Sequence, residues 1–264
     1  MTDLRWKTAI TKVEPNKILL RGYRLDELIG RISYGEAIYL ALKGELPKGN
    51  EGKVIEAILV SVIDHGGSPP STLAARTIAS TGAELSAAVA GGILAISQYH
   101  GGAIEECMNV LSEGVHYQRQ QSTSPEEAAN WVVKKFHDRG ARIHGFGHRL
   151  HTRDPRTIRL FELAATWGIA GDFVAMARAI ERALSERLQR PVPINADGAI
   201  AALLCELKFE PILADAFFMM ARIPGLVAHI YEEKSRQKPM RRIHPTDIAY
   251  DGPEERQWKG ERVE

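Results

Sequence analysis

Cysteine is nearly absent from this sequence: Cys107 and Cys205 are the only two in 264 residues, each inside an apolar helical pattern. That excludes a disulfide-dense secreted scaffold and a cysteine-rich zinc module. The pair reads as two reduced core thiols, with one disulfide as the alternative. Net charge is nearly absent too. Thirty-four Lys and Arg stand against 33 Asp and Glu, and a formal +1 offers no electrostatic footprint for nucleic acid or an anionic membrane surface. No uninterrupted apolar run reaches the length of a membrane span, and Met1-Thr2-Asp3-Leu4-Arg5-Trp6 lacks the apolar core of a secretory signal. The expected location is the cytoplasm. With 44% hydrophobic residues, the chain can bury the core of one sizeable unit or two small ones.

Strands alternating with helices are missing as well, so a parallel sheet is not expected. Thr8–Thr11 and Lys17–Leu20 flank Glu14-Pro15-Asn16 and predict one small hairpin. Nearly everything after it has helical period. Asn50 to Ile63 places Val54, Ile55, Ile58, Leu59 and Val62 on one face. Pro69-Pro70 breaks the chain and Ser71 can cap the next helix. The Ala- and Gly-rich run Ala83 to Tyr99 suits a buried helix in close contact with others, and Gly101 to Gln118 predicts another. Ser124-Pro125-Glu126-Glu127 combines an N-cap, a first-turn Pro and first-turn acids, and Gly140 can end that helix. Asp154-Pro155 and Asp172 open two more. Asn195 to Phe209 and Pro211 to Gln237 complete a mostly α chain, before a polar, irregular tail from Lys234 to Glu264.

Chemistry-bearing residues punctuate these helices. Gly145-Phe146-Gly147-His148-Arg149 puts glycines beside an imidazole, which lets backbone approach a ligand; an incidental loop histidine is the plain alternative. The Gly-x-Gly is no dinucleotide fingerprint, because the third glycine and a preceding strand are missing. His144, His148 and His151 have ligand-like spacing, but no acidic or cysteine cluster completes a metal site. His100 precedes Gly101-Gly102 at an expected helix start, whose dipole favours neutral imidazole, able to donate a hydrogen bond to a developing enolate. Asp197, ahead of an apolar helix, is either a partly desolvated and more basic carboxylate or a plain N-cap. Arg149, Arg156 and Arg222 can hold carboxylates bidentately; Arg222, in an apolar stretch, needs an anionic partner. The run Lys234, Arg236, Lys238, Arg241, Arg242 reads as a solvated face.

The order of these residues resembles the citrate synthase superfamily. Arg21-Gly22-Tyr23, Leu25 to Leu28 and Glu36 to Pro47 look like its opening. Asp64-His65, His100-Gly101-Gly102 and Gly145 to Arg149 resemble its three active-site histidine segments, Asp197 its catalytic aspartate, and Ala221-Arg222 through Gly225 to His229 its C-terminal arginine segment. Three departures stand out. The long N-terminal helical region is lacking; Gly198-Ala199-Ile200 replaces the aromatic continuation after the aspartate; His244 to Glu254 replaces the Arg-Pro-Arg segment. The last two resemble stand-alone citryl-CoA lyases and the citryl-CoA-cleaving C-terminal module of ATP-citrate lyase. Arg241 and Arg242 are weak candidates for the arginine that synthases lend to a partner subunit.

The resemblance implies a citrate synthase-like helical fold: a large domain from residues 1–101 and 203–264, a small domain from 102–202, and a homodimer or higher oligomer. It implies cleavage of citryl-CoA to acetyl-CoA and oxaloacetate. His148 would accept the tertiary hydroxyl proton directly or through water, His100 would donate to the enolate, and Asp197 would protonate the acetyl carbon. His65, Arg149, Arg156 and Arg222 would grip carboxylates, and Gly145, Phe146 and Gly147 would meet CoA. No metal or resident cofactor is implied; coenzyme A arrives as part of the substrate, and a separate citryl-CoA synthetase would supply it. The alternatives are a citrate or 2-methylcitrate synthase, and a non-catalytic module that binds acyl-CoA or a partner.

Overall fold

The computed structural model describes residues 6–148, 150–241, 249–255 and 257. Its N-terminus is a small antiparallel sheet of β1 (Thr11–Glu14), β2 (Lys17–Leu20) and β3 (Tyr23–Arg24). The expected hairpin is present, but its first strand lies later than Thr8–Thr11. Pro15-Asn16 is a two-residue turn with Asn16 at φ 58°, so Glu14 must pair with Lys17 and Thr11 with Leu20. A second tight turn at Arg21-Gly22 adds β3.

Ten helices of at least ten residues, or eleven with the single turn α1 (Leu25–Leu28), follow among the described residues. They are α2 (Tyr34–Lys43), α3 (Glu51–Ser61), α4 (Pro70–Ser80), α5 (Leu85–Leu94), α6 (Ala103–Gln121), α7 (Pro125–Asp138), α8 (Pro155–Thr166), α9 (Asp172–Leu188), α10 (Ala196–Glu206) and α11 (Ala214–Arg236). Local chemistry sets their ends. Ser33 with Glu36, and Ser124 with Glu127, form capping boxes on α2 and α7, and Asp154 caps α8 through the Arg156 N–H. α9 is capped across the fold. The Glu206 carboxylate at the end of α10 accepts the N–H groups of Gly171, Phe173 and Val174 at 2.8, 3.0 and 3.0 Å. All three bonds use one oxygen, Oε1. Glu206→Ala should therefore lower the unfolding free energy by about 2 kcal/mol, whereas Glu206→Gln, which keeps that oxygen, should cost little; urea denaturation measures both.

α10 is the hub. From Ala196 to Cys205 every residue except Asp197 is buried, so the helix is apolar all round and must be surrounded. α6, α8, α9 and α3 pack on it. One core runs from α2 and α3 through α6 to α11, and a second, smaller one joins α4, α5 and α11 through Ala75, Ala79, Ala88, Leu226 and Ile230. α5 differs from expectation: it ends at Leu94, and only Ala88 and Gly92 are buried while Leu85, Ala90 and Leu94 face outward. The chain to Tyr99 leaves the helix to form a tight turn in which Ser97 and His100 exchange backbone hydrogen bonds. α11, with the 3₁₀ turn before it, is long and apolar enough by length and composition to cross a membrane. It is the core helix that joins α3, α4 and α5, and it buries Arg222 and Glu233.

Candidate active site

A cleft of about 1200 Å³ opens between the 65–70 and 99–100 segments on one side and the 133–150, 184–192 and 197 segments on the other. His65, His100, His148 and Asp197 all line it, as do Phe146 and Gly147. Four segments distant in sequence thus meet at one place.

Two glycines bring the His148 loop onto the Asp197 helix. A Cβ on Gly198 would stand 2.3 Å from the Gly145 carbonyl oxygen, and one on Gly145 would stand 2.6 Å from Cys107 Sγ. Gly145 also has φ +83°, where side chains are strained. Asn195 then ties the loop to the helix start: its N–H donates to the Gly145 carbonyl, its side-chain amide to the Gly147 carbonyl, and its Oδ1 caps Gly198. Asn195, not Asp197, is therefore the N-cap of α10, and Asp197 is left free in the first turn. Burial raises the Asp197 pKa above 3.8 against the lowering charges of Arg156 and Arg222. Gly145 itself is buried under the cleft and lines the packing contact.

The three histidines share one electrostatic setting. Burial lowers the pKa of each below 6.5, reinforced by Arg156 and Arg222 at His65, by Arg222 and His65 at His100, and by His151 and Arg156 at His148. At His100 burial is the larger cause and the Arg222 charge the next; α6 starts at Ala103, three residues on. Its ring stands edge-on to Phe218, and its Nε2 lies 2.8 Å from Ser71 Oγ. Ser71 is not the cap of α4, which begins at Pro70; it is buried in the first turn with its hydroxyl turned to His100. A neutral ring that accepts the Ser71 hydroxyl at Nε2 carries its hydrogen on Nδ1, and one that donates there carries it on Nε2. Ser71→Ala frees the tautomer, and about a tenfold to hundredfold loss in kcat is expected with folding retained, checked by steady-state kinetics and circular dichroism.

His148 accepts the N–H groups of Leu150 and His151 on Nδ1, both at 3.0 Å. The neutral ring then has its hydrogen on Nε2, so it presents a donor to an oxygen. Direct acceptance of a hydroxyl proton at Nδ1 is blocked in this conformation. His144 turns away and pairs with Glu106 at 2.7 Å, while the rings of His148 and His151 lie 4.4 Å apart. The three histidines of the ligand-like spacing do not converge.

The arginines differ in readiness. Arg156 already grips Asp154 bidentately, at 3.0 and 2.7 Å. Burial alone would raise the Asp154 pKa, but the Arg156 hydrogen bonds and charge leave it lowered. Arg222 is 1% exposed, donates from Nε to the Val62 carbonyl at 3.1 Å and lies over the Phe218 ring. Its Nη1 is buried with no partner, and the expected anionic partner is not found within salt-bridge reach among the described residues. Arg149 and Arg242 lie outside the described residues. Lys234, Arg236, Lys238 and Arg241 are exposed, as a solvated face requires; Arg241 also pairs with its own chain's Glu233, Lys234 with the Ala83 carbonyl and Arg236 with Glu232. Cys107 and Cys205 are free buried thiols, the latter pushed up to about 12 by burial.

The sequence reading overlooked two groups. Ser71 is one. The other is the cleft mouth, where Arg142, Arg187 and Arg190 ring apolar walls that include Val133, Leu184 and Leu188. No local motif announces these three; the packing of α7 against α9 gathers them.

Neutral imidazole donors beside a carboxyl made more basic, with guanidinium charge in reserve, equip a site for proton transfer at carbon in an anionic substrate. The helical fold around it defines the class. The chain belongs to the citrate synthase family: residues 49–245 match the family described as citrate synthase, C-terminal domain. Citryl-CoA lyase from Hydrogenobacter thermophilus superposes with a TM-score of 0.88 at 41% identity, covering 96% of this chain and 97% of that one. ATP citrate lyase from Methanothrix soehngenii, in complex with citrate and coenzyme A, has a TM-score of 0.84 at 22% identity over 97% of this chain and 43% of that one, and so shares the fold. Citrate/2-methylcitrate synthase of Bacillus subtilis is 32% identical over 228 residues, 84% of this chain and 57% of that protein. The chain spans about half the length of the curated citrate synthases it matches. The expected mostly helical, citrate synthase-like fold is the one observed.

Proposed function

We propose that this protein is a citryl-CoA lyase that cleaves citryl-CoA to acetyl-CoA and oxaloacetate. The observation that carries the reading is its 41% identity to the Hydrogenobacter lyase over 96% of the chain. The Gly145–Gly198 contact agrees with it. An aromatic residue at 198, as in the synthases that the sequence otherwise resembles, has no room against the Gly145 carbonyl.

The unpaired Arg222 Nη1, with His65 and the remaining donor of Arg156, receives the substrate carboxylates. His148 Nε2–H holds the tertiary hydroxyl oxygen, whose proton leaves through water. As the carbon–carbon bond breaks, its electron pair moves onto the thioester oxygen, where His100 Nδ1–H stabilises the enolate. Asp197 returns a proton to the acetyl carbon. Phe146, Gly147 and the apolar mouth take the pantetheine arm, and Arg142, Arg187 and Arg190 take the CoA phosphates. Coenzyme A comes and goes with the substrate, and no resident cofactor or metal has a step here. A separate citryl-CoA synthetase would form the thioester.

The cleft separates residues 65–100 from residues 133–197, which supports a small domain of 102–202 closing on the remainder. The exposed apolar face of α5 supports a homodimer built across it. The likeness to the Bacillus enzyme keeps one second reading, a synthase that also hydrolyses the thioester. Purified protein given citryl-CoA decides between them. Acetyl-CoA and oxaloacetate without free CoA is the expected result; free CoA with citrate marks the synthase, and no turnover by folded protein overturns both.

A further inference from the structure

The segment that carries His65 has no core of its own. Residues 64–68 are all exposed, yet they must present one imidazole to the cleft. Three residues on one face of α11, spaced i, i+3 and i+7, hold it. Arg222 Nε donates to the Val62 carbonyl at 3.1 Å. Gly225 lets the backbone sit so close that a Cβ there would stand 2.4 Å from the Ile63 carbonyl oxygen. His229 Nε2 lies 2.9 Å from Asp64 Oδ1. The other oxygen of Asp64 accepts the Gly66 N–H at 2.9 Å, closing a side-chain turn with His65 at its centre. The carboxylate therefore locks the backbone on both sides of His65, and His229 locks the carboxylate to α11.

We infer that His229, acting through Asp64, is a positioning residue for His65. His229 touches no reacting atom, and neither it nor Asp64 lines the cleft. The inference rests on the lyase reading, in which His65 binds a substrate carboxylate; orientation of such a group appears in substrate affinity before it appears in the chemical step.

The test compares His229→Ala, His229→Gln and Asp64→Asn in the full chain, after the wild type has been assayed with citryl-CoA. His229→Ala should raise KM about tenfold with kcat within about twofold, and His229→Gln, whose amide N–H can reach the same carboxylate, should restore most of it. The imidazole proton signal of His65, assigned by its loss in His65→Gln, should shift in the alanine variant and return in the glutamine variant. An unchanged KM and an unshifted signal overturn the inference. So does a glutamine variant as impaired as the alanine one. If the wild type does not cleave citryl-CoA, the lyase reading fails and the His65 signal alone judges the positioning. If His229→Ala does not fold, Asp64→Asn, of equal size, carries the same expectation.

Discussion

Asp197→Asn should lower the kcat for citryl-CoA cleavage by about 10²–10⁴-fold, the range for loss of a positioned acid or base, while KM changes little. The substitution preserves shape, and Asn195 rather than Asp197 caps α10, so the helix start stays intact. The pH profile should change with it. Cleavage uses protonated Asp197, whose pKa burial raises above 3.8, so wild-type kcat falls as pH rises through that raised value. The histidines act neutral and have pKa values below 6.5, chiefly through burial, so the acid limb lies below the ordinary imidazole range. In Asp197→Asn the alkaline limb should vanish and the acid limb remain. A profile that keeps both limbs, or a loss below tenfold, removes Asp197 from the proton transfer.

Arg222→Met should raise KM for citryl-CoA by about 10²-fold or more, in line with the 2–5 kcal/mol cost of removing one partner of a buried charge pair. Thermal stability should not fall with it. In the unliganded protein this guanidinium is buried, half-satisfied by the Val62 carbonyl and without a carboxylate among the described residues. An apolar side chain of similar length removes the desolvation cost of that unpaired charge and gives up one hydrogen bond to a backbone carbonyl. A gain in melting temperature with a loss of substrate binding separates a binding residue from a structural one. A large drop in melting temperature with KM unchanged would assign Arg222 to the core instead. Bound substrate analogue should stabilise the wild type and leave Arg222→Met unmoved, measured by thermal shift.

Much of the fold was legible because its signals are local. Ser124-Pro125-Glu126-Glu127 became a capping box, and Asp154-Pro155 opened α8 as read. The misreadings have physical causes. Ala- and Gly-rich sequence suggests burial, yet α5 buries only the Ala88–Gly92 side; composition cannot tell a face that meets the core from one left outside. Asp172 opens α9 as read, but the carboxylate that accepts its first-turn N–H groups is Glu206, 34 positions on, and no local pattern encodes a cap supplied by another helix.

Of the candidate site, the residue types and their order were determined by the sequence: three histidines, an aspartate and buried-looking arginines, each beside glycines or a helix start. The convergence of His65, His100, His148 and Asp197 on one cleft, and the roles open to each group, were decided only by the tertiary structure. Asn195 took the capping bond that would have occupied Asp197; Asp154 drew Arg156 into a pair while Arg222 found none among the described residues. Backbone N–H groups turned His148 into a donor, and Ser71 set the ring of His100. The reason is common to all of them. A hydrogen bond or an ion pair depends on distance in space, and these partners come from separate helices and loops whose meeting follows from how the apolar faces of α6, α10 and α11 pack.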